Sequence, residues 1–236
     1  MKRLLATAFV LSLTVAPVVA GPVADFENSY NMAYFSYRTA LFATNTGDTA
    51  KSVGALKQLE NNWTGLMTQY RASPPPQFEA DPLWDQTIED VTNLLDRSKT
   101  LADAGDLPAA HETLEGIREA LGALHARNHV ETFSDRMNAY HTEMEVILGS
   151  DTANMDVEVK RALLEHSAVL AYLATDVLSA PPAAALESPE FATLAAGLQT
   201  SVDQFVDAAR SGDDAALLEA IGALKVPYSK LFLKFG

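Results

Sequence analysis

The chain has 236 residues, of which 48% are hydrophobic and 20% are charged, and this balance excludes a disordered or collagen-like protein. Its formal net charge is -14, so a nucleic-acid backbone or an anionic membrane surface would repel it. The chain contains no cysteine, which excludes disulfides, thiolate metal sites and the covalent attachment of a c-type haem.

The first 20 residues have the pattern of a secretory signal peptide. Lys2 and Arg3 precede the apolar run from Leu4 to Val15, and small residues end the segment at Ala20. This pattern predicts cleavage after Ala20. No later segment is apolar for long enough to cross a bilayer. We therefore expect an exported protein, located in the periplasm of a cell with an outer membrane and not inserted in the membrane after cleavage.

The remaining chain contains an internal repeat with an offset of about 107 residues. The proline pair at 74–75 recurs at 181–182, and the Gly-Asp pair at 105–106 recurs at 212–213. With one residue of slippage, the Ala-Tyr pair at 33–34 recurs at 139–140. The shared order of proline pair, Gly-Asp turn and apolar stripe indicates a duplicated unit.

Apolar residues recur at helical spacing between these turns, as in Leu114, Ile117, Leu121 and Leu124. No stretch alternates with period two for long enough to indicate a strand, so the pattern predicts an all-α fold. Proline pairs and Gly-Asp turns delimit the predicted helices, which span residues near 24–45, 48–71, 82–103, 107–148, 155–178, 189–210 and 213–234.

Short turns between helices of similar length predict antiparallel neighbours. We therefore expect two tandem up-down-up-down four-helix bundles, over residues 21–128 and 129–236. No Gly or Pro falls between Ala123 and Leu148, so the two bundles are predicted to share a long central helix. The apolar seam of that helix breaks at a polar patch, which marks the boundary between the bundles and contains Arg127, Asn128, His129 and Glu131.

The sequence contains no nucleophile motif, phosphate-binding loop or HExxH motif, so we do not expect an enzyme. Met32 and His125 are the first candidates for a binding site. They lie on the first and fourth predicted helices, which are antiparallel neighbours, within about 8 Å of the same level along the bundle. A thioether and an imidazole that meet between helices can ligate haem iron on both axial sides.

Residues 25–128 resemble the cytochrome b562 family. The resemblance rests on Asn31-Met32, the proline-rich loop at 74–76, Leu101-Ala102-x-x-Gly105, and His125 in the last helix. It implies that Met32 and His125 are the axial ligands of a non-covalent haem b. It also implies single-electron transfer to a redox partner whose identity the sequence leaves unknown. Phe232 stands where the repeat would place a second ligand histidine, so the second bundle should lack such a haem.

Two alternatives remain open. Met137, His141 and Met144 share one helix face and could form a copper site, because thioethers and imidazole suit Cu(I). The same face continues the apolar seam, so core packing of both methionines is the stronger interpretation of that pattern. The protein could also be a haem-free helical interaction module. His125 and His129, four residues apart, could bind a divalent metal at the boundary.

Overall fold

The computed structural model describes residues 21–236, and the predicted signal peptide lies outside these residues. The expected all-α fold is confirmed for the described chain, which contains no strand. It is built from eight α-helices: α1 Pro22–Asn45, α2 Thr49–Tyr70, α3 Trp84–Asp103, α4 Leu107–Arg127, α5 Phe133–Leu148, α6 Val157–Ser179, α7 Pro189–Ser211 and α8 Asp214–Phe235. A short 3-10 helix, Ala183–Ala185, precedes α7.

The Gly-Asp turns form as the sequence predicts. Gly105 and Gly212 have φ values of 83° and 68°, a left-handed conformation that glycine adopts without steric cost. The aspartates that follow cap the next helices: Asp106 accepts a hydrogen bond from the backbone N–H of residue 109, and Asp213 accepts one from that of residue 216. These two turns, 107 residues apart in the sequence, therefore share one local structure.

The predicted long central helix is wrong. The chain leaves the helical conformation between α4 and α5, over residues 128–132. His129 has a φ of 54°, which is uncommon for a residue with a Cβ. Thr132 then starts α5 through a capping box with Asp135. The polar patch therefore ends one helix and precedes the start of another, and its role as a boundary between bundles stays a prediction.

The helices pack as neighbours in two groups. In the amino-terminal half, residues 21–128, α1 contacts α2 and α4, and α3 contacts the same two helices. In the carboxyl-terminal half, residues 129–236, α5 contacts α6 and α8, and α7 does likewise. The halves meet where α1 contacts α8, and their buried residues form one continuous hydrophobic core. Within residues 21–236, no helix is both long and apolar enough to span a bilayer.

Candidate functional site

Met32 lies on the outer side of α1. The buried residues of this helix include Tyr30, Tyr34, Tyr37 and Leu41, which follow each other at helical spacing. Met32 is two residues from Tyr30, about 200° around the helix, and its side chain is 60% exposed. The thioether is thus directed away from the core of the amino-terminal half.

His125 lies inside that core, with only 3% of its surface exposed. Its Nδ1 is 2.9 and 3.0 Å from the two carboxylate oxygens of Asp135. Its ring stacks parallel on Phe78, with a centroid distance of 5.9 Å, and lies 5.5 Å from the ring of Tyr30. The imidazole therefore connects the end of α4 to the start of α5.

The carboxyl group of Asp135 has a lowered pKa and accepts several hydrogen bonds at this contact. Burial raises the pKa of its carboxyl, but hydrogen bonds from His125 and Thr132 outweigh burial and lower the pKa below its ordinary value. The carboxylate also accepts the backbone N–H of Thr132 at 2.8 Å. One ionised group thus holds both the buried histidine and the helix start.

The structure does not bring Met32 and His125 together, because one side chain faces solvent and the other is enclosed. Packed aromatic and aliphatic side chains lie between the helices of this half, and the void beside Tyr30 and Trp63 has a volume of about 10 Å³. A haem needs a flat slot with a ligand at each face. The residues as folded do not fit a haem b held by this pair.

The copper candidates separate in a similar way. Met137 and Met144 are fully buried, as their place in the apolar seam predicts. His141 and Met144 line a cleft, whereas Met137 does not. His129 is exposed in the α4–α5 turn while His125 is buried, so this pair shares no face. In residues 21–236, no group of three or more histidine or carboxylate side chains is placed to hold a metal ion. The copper site stays a prediction.

The cleft itself is the candidate site. It has a volume of about 710 Å³ and lies where α1 and α4 of the amino-terminal half face α5 and α8 of the carboxyl-terminal half. Its walls combine apolar side chains with polar groups at a few positions. The main wall residues are Arg38, Phe42, Arg118, His141, Tyr228 and Phe232.

Four buried polar atoms of these walls have no hydrogen-bond partner within the described residues. They are the Nε atoms of Arg38 and Arg118, Nδ1 of His141 and the hydroxyl of Tyr228. Buried polar groups in folded proteins are nearly always hydrogen-bonded. Three further atoms of this kind lie on Gln77, Asn138 and Tyr140, which do not line the cleft.

Arg118 of α4 contacts Phe232 of α8, which in turn packs against Tyr228 of the same helix. The guanidinium of Arg118 lies 5.2 Å from the centre of the Phe232 ring, a cation–π contact. Tyr228 stacks on the same ring at 5.5 Å and packs against His141 at 5.2 Å. These contacts fix the aromatic wall of the cleft.

His141 stays uncharged over the physiological range. Burial, together with the positive charges of Arg118 and Lys225, lowers its pKa to about 3. Burial also raises the pKa of Tyr228 well above its ordinary value. The imidazole and phenol therefore offer neutral hydrogen-bonding groups to anything in the cleft.

Most charged residues of the cleft lie beside a residue of opposite charge. Arg118 Nη1 is 2.9 Å from Glu115, and Lys225 Nζ is 3.7 Å from Glu145. Arg38 is the exception: it makes no ion pair within residues 21–236. The unmatched buried charge of the cleft is thus positive, in a protein that is acidic overall.

Sequence reasoning identified His141 but missed the arginines. Arg38 stands four residues after Tyr34 and three before Leu41, within the buried stripe of α1. A charge inside an apolar stripe was the available signal, since arginine is almost never fully buried unless paired. Comparisons of the chain with protein-family models, with curated proteins and with solved structures find no match.

Proposed function

We propose that this protein binds a small organic molecule non-covalently, in the cleft between its two halves and without a chemical step. Ligand pockets are usually concave, 300–1,000 Å³ in volume, largely apolar, and equipped with a few polar groups that fix orientation. The cleft, at about 710 Å³, has both kinds of lining. Its size and chemistry therefore suit a drug-sized ligand.

The observation that carries this proposal is the group of polar atoms without partners on Arg38, Arg118, His141 and Tyr228. Leaving one such group buried costs about 1–3 kcal/mol. Four of them on one cleft would be a large cost for a protein whose whole stability is about 5–15 kcal/mol. If these side chains turn toward the cleft, a ligand can hydrogen-bond to them and offset this cost in the bound state.

We also infer that the eight helices are two copies of a four-helix unit, and that the cleft arises from their docking. The equivalent Gly-Asp turns before α4 and α8 support the duplication. So does Lys225, which lines the cleft 107 residues after Arg118. With the signal peptide predicted from residues 1–20, we propose that binding takes place in the periplasm.

A cavity-blocking variant tests the proposal. Thr142 is exposed on the cleft wall, and Thr142→Trp would place an indole in the cleft. The probe is N-phenyl-1-naphthylamine, an uncharged dye whose fluorescence rises in apolar sites. We expect saturable binding to the wild type and at least about tenfold weaker binding to Thr142→Trp, because the indole occupies the apolar volume the dye needs.

Thr175→Trp is the matched control. Thr175 is also exposed on a helix, and both threonine hydroxyls donate to the carbonyl four residues earlier. Thr175 does not line the cleft, so its variant should bind the dye like the wild type. Equal affinity in both tryptophan variants, or no binding to the wild type, would contradict the proposed function.

A further inference from the structure

Arg38 is a buried cation without a counter-charge. Only 8% of its surface is exposed, and its Nε has no hydrogen-bond partner in the described chain. Its guanidinium lies 5.9 Å from the ring centre of Tyr34 and 5.6 Å from that of Phe35. These rings give partial compensation, but a buried charge normally requires an ionic or fully hydrogen-bonded partner.

The acids of the cleft do not supply that partner. Glu115 is held by Arg118 and Glu145 lies beside Lys225, while Glu112 is exposed at the rim. The formal charges of the lining balance, with three cations and three glutamates, but Arg38 is the one of these cations that forms no ion pair in the described chain. A bound molecule with one negative charge would balance the charge of Arg38.

The hydrogen-bonding groups point to the same chemistry. The Nε atoms of Arg38 and Arg118 can only donate, and both lack an acceptor. The hydroxyl of Tyr228 can donate as well. Groups of this kind are satisfied by the oxygens of an acid group, which accept several hydrogen bonds at once.

The rest of the wall is apolar. Leu41 and Phe42 of α1 face Phe232 and Leu233 of α8 across the cleft, and 51% of the surface of Phe42 is exposed. An inorganic anion would fill a small part of about 710 Å³ and leave these side chains in contact with water. An aromatic or aliphatic body would cover them.

We propose that the ligand of the cleft is an organic anion, with its acid group held by Arg38 and its aromatic or aliphatic body against Phe42 and Phe232. This inference rests on the proposed function, since it assumes that the cleft binds small molecules. To the proposed function, the inference adds that the ligand is negatively charged and that Arg38 selects this charge.

Two dyes with the same aromatic body test the inference. 8-Anilinonaphthalene-1-sulfonate carries a sulfonate that N-phenyl-1-naphthylamine lacks. We expect the wild type to bind the sulfonate dye at least about tenfold more tightly, as a charge-assisted contact with a desolvated arginine implies. In Arg38→Met, which keeps the apolar stem, this preference should disappear, so that the ratio of the two dye affinities falls to about one.

Arg210→Met controls for overall charge. Arg210 is exposed on α7, where its guanidinium is 71% accessible, so its loss removes one positive charge without altering the cleft. This variant should keep the wild-type preference for the sulfonate dye. If Arg38→Met and Arg210→Met lost the preference for the sulfonate dye to the same extent, the preference would be a general electrostatic effect. This result would overturn the role of Arg38.

The outcomes separate the inference from the proposed function. If neither dye binds the wild type, the proposed function fails. If both dyes bind the wild type with equal affinity, and Thr142→Trp abolishes the binding of both, the proposed function stands and the anion selectivity fails. Competition by 4-phenylbutyrate but not by 4-phenylbutanol would extend the selectivity to carboxylates, whereas equal competition by both would argue against it.

Thermal unfolding of ligand-free Arg38→Met is a second measurement. Removing an uncompensated buried charge should raise the melting temperature, whereas loss of a purely structural arginine should lower it. A lower melting temperature combined with an unchanged dye preference would assign Arg38 to folding and overturn the inference.

Discussion

Two buried histidines of this protein differ in whether the fold gives their ring nitrogens a hydrogen-bond partner. His125 and His141 are both largely buried imidazoles, yet they have different surroundings. His125 has the carboxylate of Asp135 at 2.9 Å, whereas Nδ1 of His141 has no partner in the described chain. The first imidazole connects two helices, and the second is a buried group without a partner beside the cleft.

His141 should make the protein less stable in mild acid. Its pKa falls from 6.5 to about 3 on folding, chiefly through burial, so below about pH 6.5 the unfolded chain binds a proton that the native state does not. Stability therefore decreases as the pH falls through this window. Between pH 7.5 and pH 5.0, the free energy of unfolding, measured with urea, should fall by about 1–2 kcal/mol more in the wild type than in His141→Gln.

His129→Asn is the control for this measurement. His129 is exposed and has a left-handed backbone, a conformation that asparagine tolerates. Its variant should keep the pH slope of the wild type. A wild-type slope in His141→Gln would show that His141 does not resist protonation in the native state.

At the scale of elements, the α4–α5 junction replaces the long helix that the sequence predicted. The absence of Gly and Pro between Ala123 and Leu148 favoured continuity, but two local interactions favour a break. Thr132 and Asp135 form the capping box that begins α5, and Asp135 also binds His125 near the end of α4. The Thr-x-x-Asp spacing was the sequence signal for this new start.

Because Asp135 both caps α5 and binds His125, its removal should lower the stability of the protein in two ways. Asp135→Ala should destabilise the protein by about 2–3 kcal/mol, because it removes a cap contact and leaves the buried Nδ1 of His125 without a partner. Asp213→Ala removes only a cap, which accepts the N–H of residue 216 at 2.8 Å. Its cost should be about 1 kcal/mol, measured in both cases by urea unfolding.

A double-mutant cycle isolates the contact between the junction residues. In a His125→Phe background, where the imidazole is absent, Asp135→Ala should cost no more than a cap, about 1 kcal/mol. An undiminished cost in that background would mean that the contact between His125 and Asp135 does not contribute to stability.

At the scale of the whole molecule, the proposed site combines residues that are far apart in the chain. Arg38 and Arg118 belong to the amino-terminal half, and His141 and Tyr228 belong to the carboxyl-terminal half, yet all four line one cleft. The halves also share direct contacts, including the hydrogen bond from Asn138 to the hydroxyl of Tyr34 at 3.2 Å. Relative movement of the halves would therefore change the cleft.

The same packing makes a clear prediction about haem. Because Met32 faces solvent and only about 10 Å³ is empty in the core beside Tyr30, protein purified after incubation with haemin should lack the bands of a Met/His-ligated haem. Absorbance spectra of the oxidised and reduced protein check this. A sharp Soret band with reduced α and β bands that is lost in both Met32→Ala and His125→Ala would contradict it.

Local sequence patterns alone determined most of the helices, most of their ends and the Gly-Asp turns. The caps at Asp106 and Asp213 and the left-handed glycines before them depend on residues within one turn of the chain, so nearby sequence specifies them. Periodicity also marked the buried methionines of α5. It even contained the information that Met32 lies opposite the tyrosine stripe of α1, although the predicted ligand pair rested on height along the bundle and on the family resemblance.

Only the tertiary structure decided which surfaces meet. Arg38 and Tyr228 are 190 positions apart in the chain, and their place in one cleft depends on how the two halves dock. Helical periodicity specifies which side of a helix is buried, but not which other helix covers it or where coverage stops. The partnerless polar groups of the cleft are a product of that incomplete coverage, since complete packing would have paired them or excluded them.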